Sequence, residues 1–173
     1  MDLASQWVNL FTLKIRLIKP RFQGNVFCMI ARKREIKAFT GLIARHPIVG
    51  IIGARQVGKT SLAREIIKRT KKPVSYFAME NPEDLARLQD PMLALGGLKG
   101  LVVIDEVLRL PELFPVIRVL INRPKKPARF LILGSASPGL LQQSSETLAG
   151  RIIYHQLNGF MLDEIRIDNH KKL

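Results

Sequence analysis

Two spacings of apolar residues alternate along most of this chain. Short apolar runs stand at 48–52, 74–77, 101–104, 130–133 and 152–155, and stretches with a three-to-four-residue apolar repeat lie between them. The runs predict strands, the one at 48–52 buried on both faces as in a parallel sheet covered by helices, and the repeats predict those helices. Over 31–45, Ile36, Phe39, Leu42 and Ile43 form an apolar stripe with Arg32, Lys33, Arg34 and Lys37 outside it, and His46-Pro47 stops the helix. Leu62, Ile66 and Ile67 mark a helix over 61–68, ended by Lys71-Lys72-Pro73. Asn81-Pro82-Glu83-Asp84 has the order of a helix start: a capping amide, a proline for the first turn, then two acids that complement the dipole. Leu85 and Leu88 face inward from it, Asp90-Pro91 closes it, and a short helix over 92–98 runs out at Gly96-Gly97. Pro111 opens a helix through Leu113, Ile117, Leu120 and Ile121, with Pro115 early enough to be tolerated. A basic turn at 124–127 precedes the fourth strand, and a short helix through Leu141 with a polar tract over 142–146 follows it. Strands alternating with helices at these intervals make an α/β fold.

Residues 1–28 follow neither template, and Pro20 and Gly24 interrupt them. They are expected to be an extension outside the fold, either an amphipathic surface or partner helix or a segment without structure of its own. The polar tail over 168–173 is expected to fray.

The first strand runs into GARQVGKT at 53–60, which matches the phosphate-loop pattern G-x-x-x-x-G-K-[ST] at every fixed position. Gly53 and Gly58 permit the sharp turn that aims several backbone N–H groups at one phosphate chain. Lys59 supplies an ammonium for the β- and γ-phosphates, and Thr60 a hydroxyl for Mg²⁺. The helix that follows points its positive end at the same place. Ala54, Arg55, Gln56, Val57 and Ser61 complete the nucleotide-binding stretch, with Arg55 and Gln56 ranked below Lys59 and Thr60. The third strand ends in Asp105-Glu106, 45 residues after Thr60. There a carboxylate can serve Mg²⁺ and its neighbour can polarise an attacking water. Ser135 and Ser137 end the fourth strand, where a polar residue can sense a γ-phosphate, although serine is also an ordinary turn residue. Arg151 is either a stabiliser of transition-state charge or one more surface arginine.

Composition narrows the picture. The 173 residues suffice for one domain with a sizeable core. Cys28 is a lone cysteine, and His46, His155 and His170 lie too far apart for metal-ligand spacing, so a reducing cytoplasm fits best. No apolar run reaches the length of a membrane span, and Lys14, Arg16, Lys19 and Arg21 interrupt the N-terminal stretch as no signal peptide would. The formal net charge is +14. Without an aromatic-interleaved or groove-reading motif, this excess reads as a solvated surface plus a loop that hosts a polyanionic nucleotide, with nucleic acid an open alternative. No guanine-reading segment is present, since Asn122-Arg123-Pro124-Lys125 does not supply one.

GARQVGKT, LVVIDE, DEVLRLPELFPVIRVLI and FLILGSASPGLLQQSSETLAGRI together closely resemble the ATP-binding module of a group of prokaryotic AAA-type ATPases, over about residues 29–167. The resemblance implies a P-loop NTPase fold, a three-layer α/β/α arrangement with a mostly parallel sheet of about five strands. It makes 53–60 the Walker A segment, Asp105 and Glu106 Walker B, 135–137 the first sensor position, and Arg151 the arginine of an LAGR segment. ATP and Mg²⁺ are the implied cofactors, and self-association is implied because such domains often complete their sites at subunit interfaces. Leu108 departs from the pattern, standing where the group usually shows a glutamine. Relatives also continue for a few hundred residues beyond position 173, so a truncated gene product or a stand-alone remnant, without lid, second sensor or C-terminal domain, is expected, with Met29 as an alternative start. Three functions stay open: a Mg²⁺-dependent ATPase, a nucleotide-binding fragment with negligible turnover, and a basic nucleic-acid-binding protein.

Overall fold

The computed structural model describes residues 32–124, 128–137, 139, 142, 146–161 and 164. The expectations for 1–28, for the helix through Leu141 and for 168–173 lie outside these residues. Five strands, β1 (Ile48–Gly53), β2 (Val74–Ala78), β3 (Leu101–Asp105), β4 (Arg129–Ser135) and β5 (Ile152–Gln156), form one sheet in the order β2-β3-β4-β1-β5. Every pairing is parallel. Among the described residues the helices include α1 (Lys33–Arg45), α2 (Lys59–Arg69), α3 (Pro82–Arg87), α4 (Pro91–Gly96) and α5 (Leu113–Ile121).

Alternation along the strands divides the core in two. Val49, Ile51, Val103, Leu131 and Leu133 pack with Ile36 and Phe39 of α1 and Leu62, Ala63 and Ile66 of α2. Ile48, Val102, Ile104, Phe130 and Ile132 pack on the opposite face with Leu88, Leu95 and the α5 residues Leu113, Phe114, Ile117 and Leu120. The sheet is therefore the middle of three layers. Both inner faces of β1, β3 and β4 are covered, which explains their unbroken apolar sequence.

Asn81 caps α3 as expected, its Oδ1 accepting the Glu83 N–H at 3.0 Å. Asp90-Pro91, however, opens α4: Asp90 Oδ1 accepts the Leu93 N–H at 3.0 Å, while α3 has already ended at Arg87. A 3₁₀ turn at Val107–Arg109 follows β3, where no element was expected. Arg32 does not belong to the exposed basic side of α1. It is buried, bonded through Nη2 to the carbonyls of Asn158 and Gly159 (2.8 and 3.0 Å) and paired with Glu164 at 3.3 Å. The clasp joins the start of α1 to the segment after β5. Arg129 makes a second join, with Nη1 donating to the carbonyls of Ile43 and His46 at 2.8 Å each. It thereby satisfies groups at the C-terminal end of α1 that the helix leaves open.

Candidate functional site

All five strands point their C-terminal ends to one edge of the sheet, and β4 lies between β1 and β3. Gly53 and Ser135 are register partners at that edge, and Asp105 ends the next strand. A change in the direction of strand order beside β1 opens a crevice there, the usual ligand position of such sheets. A cleft of about 340 Å³ occupies it, lined by Arg55, Gln56, Gly58, Lys59, Thr60, Ser61, Glu80 and Glu106.

The loop over 53–60 reaches its shape through two positive-φ residues, Gln56 (62°) and Gly58 (95°). Glycine meets this demand without strain; glutamine does not. Gly53 is required for a different reason, since a Cβ there would stand 2.5 Å from the Leu157 carbonyl oxygen. Val57 turns its side chain toward the α1–α2 side of the core. Gly58 is the N-cap of α2 and offers no side-chain cap, so the first N–H groups of that helix face the cleft as anion donors. Lys59 is buried, and its Nζ donates to the carbonyls of Gly53 (3.2 Å) and Ala54 (2.8 Å), which hold the ammonium over the loop.

Thr60 Oγ1 donates to Asp105 Oδ2 at 2.9 Å, joining α2 to β3 past the intervening strand. The same oxygen accepts the Tyr76 hydroxyl at 2.7 Å. Tyr76 and Asp105 reach each other because β2 and β3 pair in register, Ala78 opposite Asp105, with residues 74, 76 and 78 on the face of 101, 103 and 105. Burial, reinforced by the Asp105 carboxylate, raises the Tyr76 pKa far above its ordinary value, so the phenol stays a proton donor across the neutral range. A hydroxyl and one carboxylate oxygen are hard donors of the kind Mg²⁺ takes when it keeps most of its waters. Among the described residues no group of three or more His, Cys, Asp or Glu converges into a fuller cage.

Glu106 lines the cleft with a backbone at φ 54°, ψ 49°, in the left-handed region that a glutamate adopts only under constraint. Glu80 lines it too, with Arg109 at 3.9 Å. Leu108 is half-buried and packs on the α3–α5 side of the core, so no amide stands beside the two acids at that position. Ser135 and Arg151 are not among the side chains lining the cleft. Ser135 is the register partner of Gly53 on β4, while Arg151 Nη1 donates to the Ala149 carbonyl at 3.4 Å. Sequence reasoning passed over Tyr76 and Glu80. The strand pattern over 74–77 carries no sign of a polar task for the tyrosine, and Glu80 stands outside any motif, just before the helix cap at Asn81.

A family model described as AAA domain matches residues 45–166. The chain belongs to that family. The chain is also 49% identical over 143 residues to an uncharacterized protein of Mycobacterium tuberculosis, and equally to one of Mycobacterium bovis. Each alignment covers 82% of this chain and 32% of the relative, so the chain spans about a third of the length of the curated relatives it matches. Among solved structures, the Walker-type ATPase of Pyrococcus abyssi superposes with a TM-score of 0.60 at 16% identity, covering 84% of this chain and 59% of that one. At that identity the likeness concerns the fold, which is that of P-loop NTPases. The chain is thus an AAA-type ATP-binding module, and among its described residues no helix is long and apolar enough to cross a membrane.

Proposed function

We propose that this chain binds ATP with Mg²⁺ in the cleft at 53–60 and hydrolyses it. The observation that carries the reading is the Thr60–Asp105 bond of 2.9 Å, which brings the loop and a strand-end carboxylate 45 residues apart to one point. Backbone N–H groups of the loop and the start of α2 hold the phosphates, and Lys59 neutralises the β- and γ-oxygens. Thr60 and Asp105 hold the Mg²⁺, which when bound neutralises charge on the same phosphates. Glu106 orients a water and takes its proton as the water oxygen bonds to the γ-phosphorus and the bond to the β–γ bridging oxygen breaks. ADP leaves with the negative charge. Arg151 lies outside this chain's own cleft, so a part for it at the transition state requires a second copy.

Leu108 favours one competing reading. With a packed leucine in place of an amide beside Asp105 and Glu106, the module holds ATP and turns it over negligibly. Titration with ATP in the presence and absence of Mg²⁺, on the chain and on Lys59→Ala, tests the binding; unchanged affinity in the variant would defeat it. A single-turnover assay, with Glu106→Gln for comparison, then separates the readings. ATP cleaved by the chain and spared by the variant supports hydrolysis, and bound ATP intact for hours in both supports a binding module.

A further inference from the structure

The +14 charge is not spread evenly over the molecule. The α1–α2 layer and the turn after it, residues 33–45 and 59–72, carry nine exposed basic side chains, Lys59 being buried and excluded. Only two acids accompany them, and both are engaged: Glu35 with His155 at 2.9 Å, and Glu65 with Lys68 at 2.7 Å. Across the sheet, residues 79–124 hold five basic and five acidic residues once Asp105 and Glu106 of the cleft are set aside. Among the described residues, one helical layer is strongly cationic and the other is neutral.

We infer that the solvent side of the α1–α2 layer is a docking surface for the phosphate backbone of nucleic acid. Both helices pack on the same sheet face and run back from its C-terminal edge, α1 leading into β1 and α2 leading into β2. Lys33, Arg34 and Lys37 therefore stand toward the end where Arg32 meets the segment after β5, and Arg69, Lys71 and Lys72 stand at the other end. The thirteen residues of α1 make a stripe about 20 Å long, comparable to about six successive phosphates of one strand in a duplex. Near its lower end a crevice of about 230 Å³ opens between the helices, with Thr40, Ile43 and Ile66 among its walls and Arg69, Lys71 and Lys72 around it. A membrane surface fits less well, because interfacial binding needs apolar side chains to insert beside the charge. Among the described residues the large exposed apolar side chains are Leu93 and Val119 on the neutral layer, and Phe160 and Met161 after β5; none lies on α1 or α2.

The test is fluorescence anisotropy with a labelled duplex of about 20 base pairs, and a single strand of similar length, across a salt series. Six phosphate contacts predict a slope of log K against log salt of about −5 for duplex and about −4 for single strand. The triple variant Lys33→Glu, Arg34→Glu, Lys37→Glu is expected to bind at least about tenfold more weakly with a shallower slope. The pair Arg87→Glu, Arg118→Glu on the neutral layer is expected to bind as the parent does. Unaltered ATP affinity and melting temperature in the triple variant establish that its fold is intact. If that variant does not fold, Lys71→Glu with Lys72→Glu takes its place with the same expected direction. No binding at low salt, equal losses from variants on both layers, displacement of the DNA by MgATP, or capture by phosphatidylserine vesicles but not by DNA would each overturn the inference.

Discussion

Asp105 Oδ2 is shared between Thr60 and Tyr76, and the two donors have different duties. Thr60 must exchange its contact for a metal ion if the proposed function holds, whereas Tyr76 can keep its bond and fix the carboxylate meanwhile. Tyr76→Phe removes one hydroxyl and leaves the ring packed against the α1–α2 side of the core. Loss of such an outer partner typically lowers metal affinity by about tenfold. The Mg²⁺ concentration giving half-maximal enhancement of ATP binding is therefore expected to rise by about that factor. Metal-free ATP affinity should not change, and a purely packing role for Tyr76 would instead lower the melting temperature and leave the Mg²⁺ dependence alone. On the proposed function, Glu106 presents the opposite balance, a catalytic role held at a cost in stability. Its left-handed backbone suits asparagine better than glutamate. Glu106→Asn is accordingly expected to raise stability by about 0.5–1 kcal/mol, seen as a melting temperature higher by a few degrees, while cleavage of bound ATP is lost.

At the scale of elements, α1 is tied down at both ends by arginines that sequence patterning treats as ordinary surface charge. Arg32 and Glu164 are only 8% and 13% exposed, so removing one partner strands a buried charge. Glu164→Gln is expected to cost about 3 kcal/mol in urea unfolding at neutral pH. Burial pulls the Glu164 carboxyl upward, but the Met161 N–H and the Arg32 guanidinium outweigh it, leaving its pKa below the ordinary 4.5. A carboxyl depressed in the folded state stabilises above its unfolded pKa and loses that contribution as pH falls through the folded one. The difference between parent and Glu164→Gln should therefore be full at neutral pH and shrink as the medium is acidified below about 4.5; a constant difference would contradict it. At the other end of the helix, Arg129→Ala leaves the carbonyls of Ile43 and His46 without their donor, an expected loss of about 2 kcal/mol by the same measurement. Apolar spacing located α1 and its buried stripe of Ile36 and Phe39 correctly. It could not reveal these two clasps, because their partners lie 83 to 132 residues away.

For the whole molecule, what the sequence disclosed and what it withheld divide along the same line between local and long-range. The strands, the loop at 53–60 and the acids at the end of β3 are local patterns, and each stands where the apolar runs and the motif spacing put it, although the edge strands β2 and β5 are only partly buried. The three-layer P-loop fold followed from their alternation and from the family resemblance. Facing relations were withheld: that Tyr76 lies on the Asp105 side of β2, and that the basic residues gather on one layer. Arg151 belongs with these. It starts the turn into β5, an edge strand paired only with β1 among the described strands, and its guanidinium is bonded to the nearby Ala149 carbonyl rather than set into the cleft. An arginine so placed can reach a γ-phosphate only on another molecule, and such a contribution is worth about 10³-fold or more in rate. If copies of this chain complete one another's sites, turnover per chain should rise with protein concentration. Arg151→Ala should then abolish that rise while leaving ATP affinity intact. Mixing Arg151→Ala with Glu106→Gln is the decisive version, since each variant lacks what the other supplies: the cleft of the first would be served by the arginine of the second. Recovered turnover in the mixture supports completion between copies, and turnover independent of concentration and indifferent to Arg151 would show that each cleft works alone.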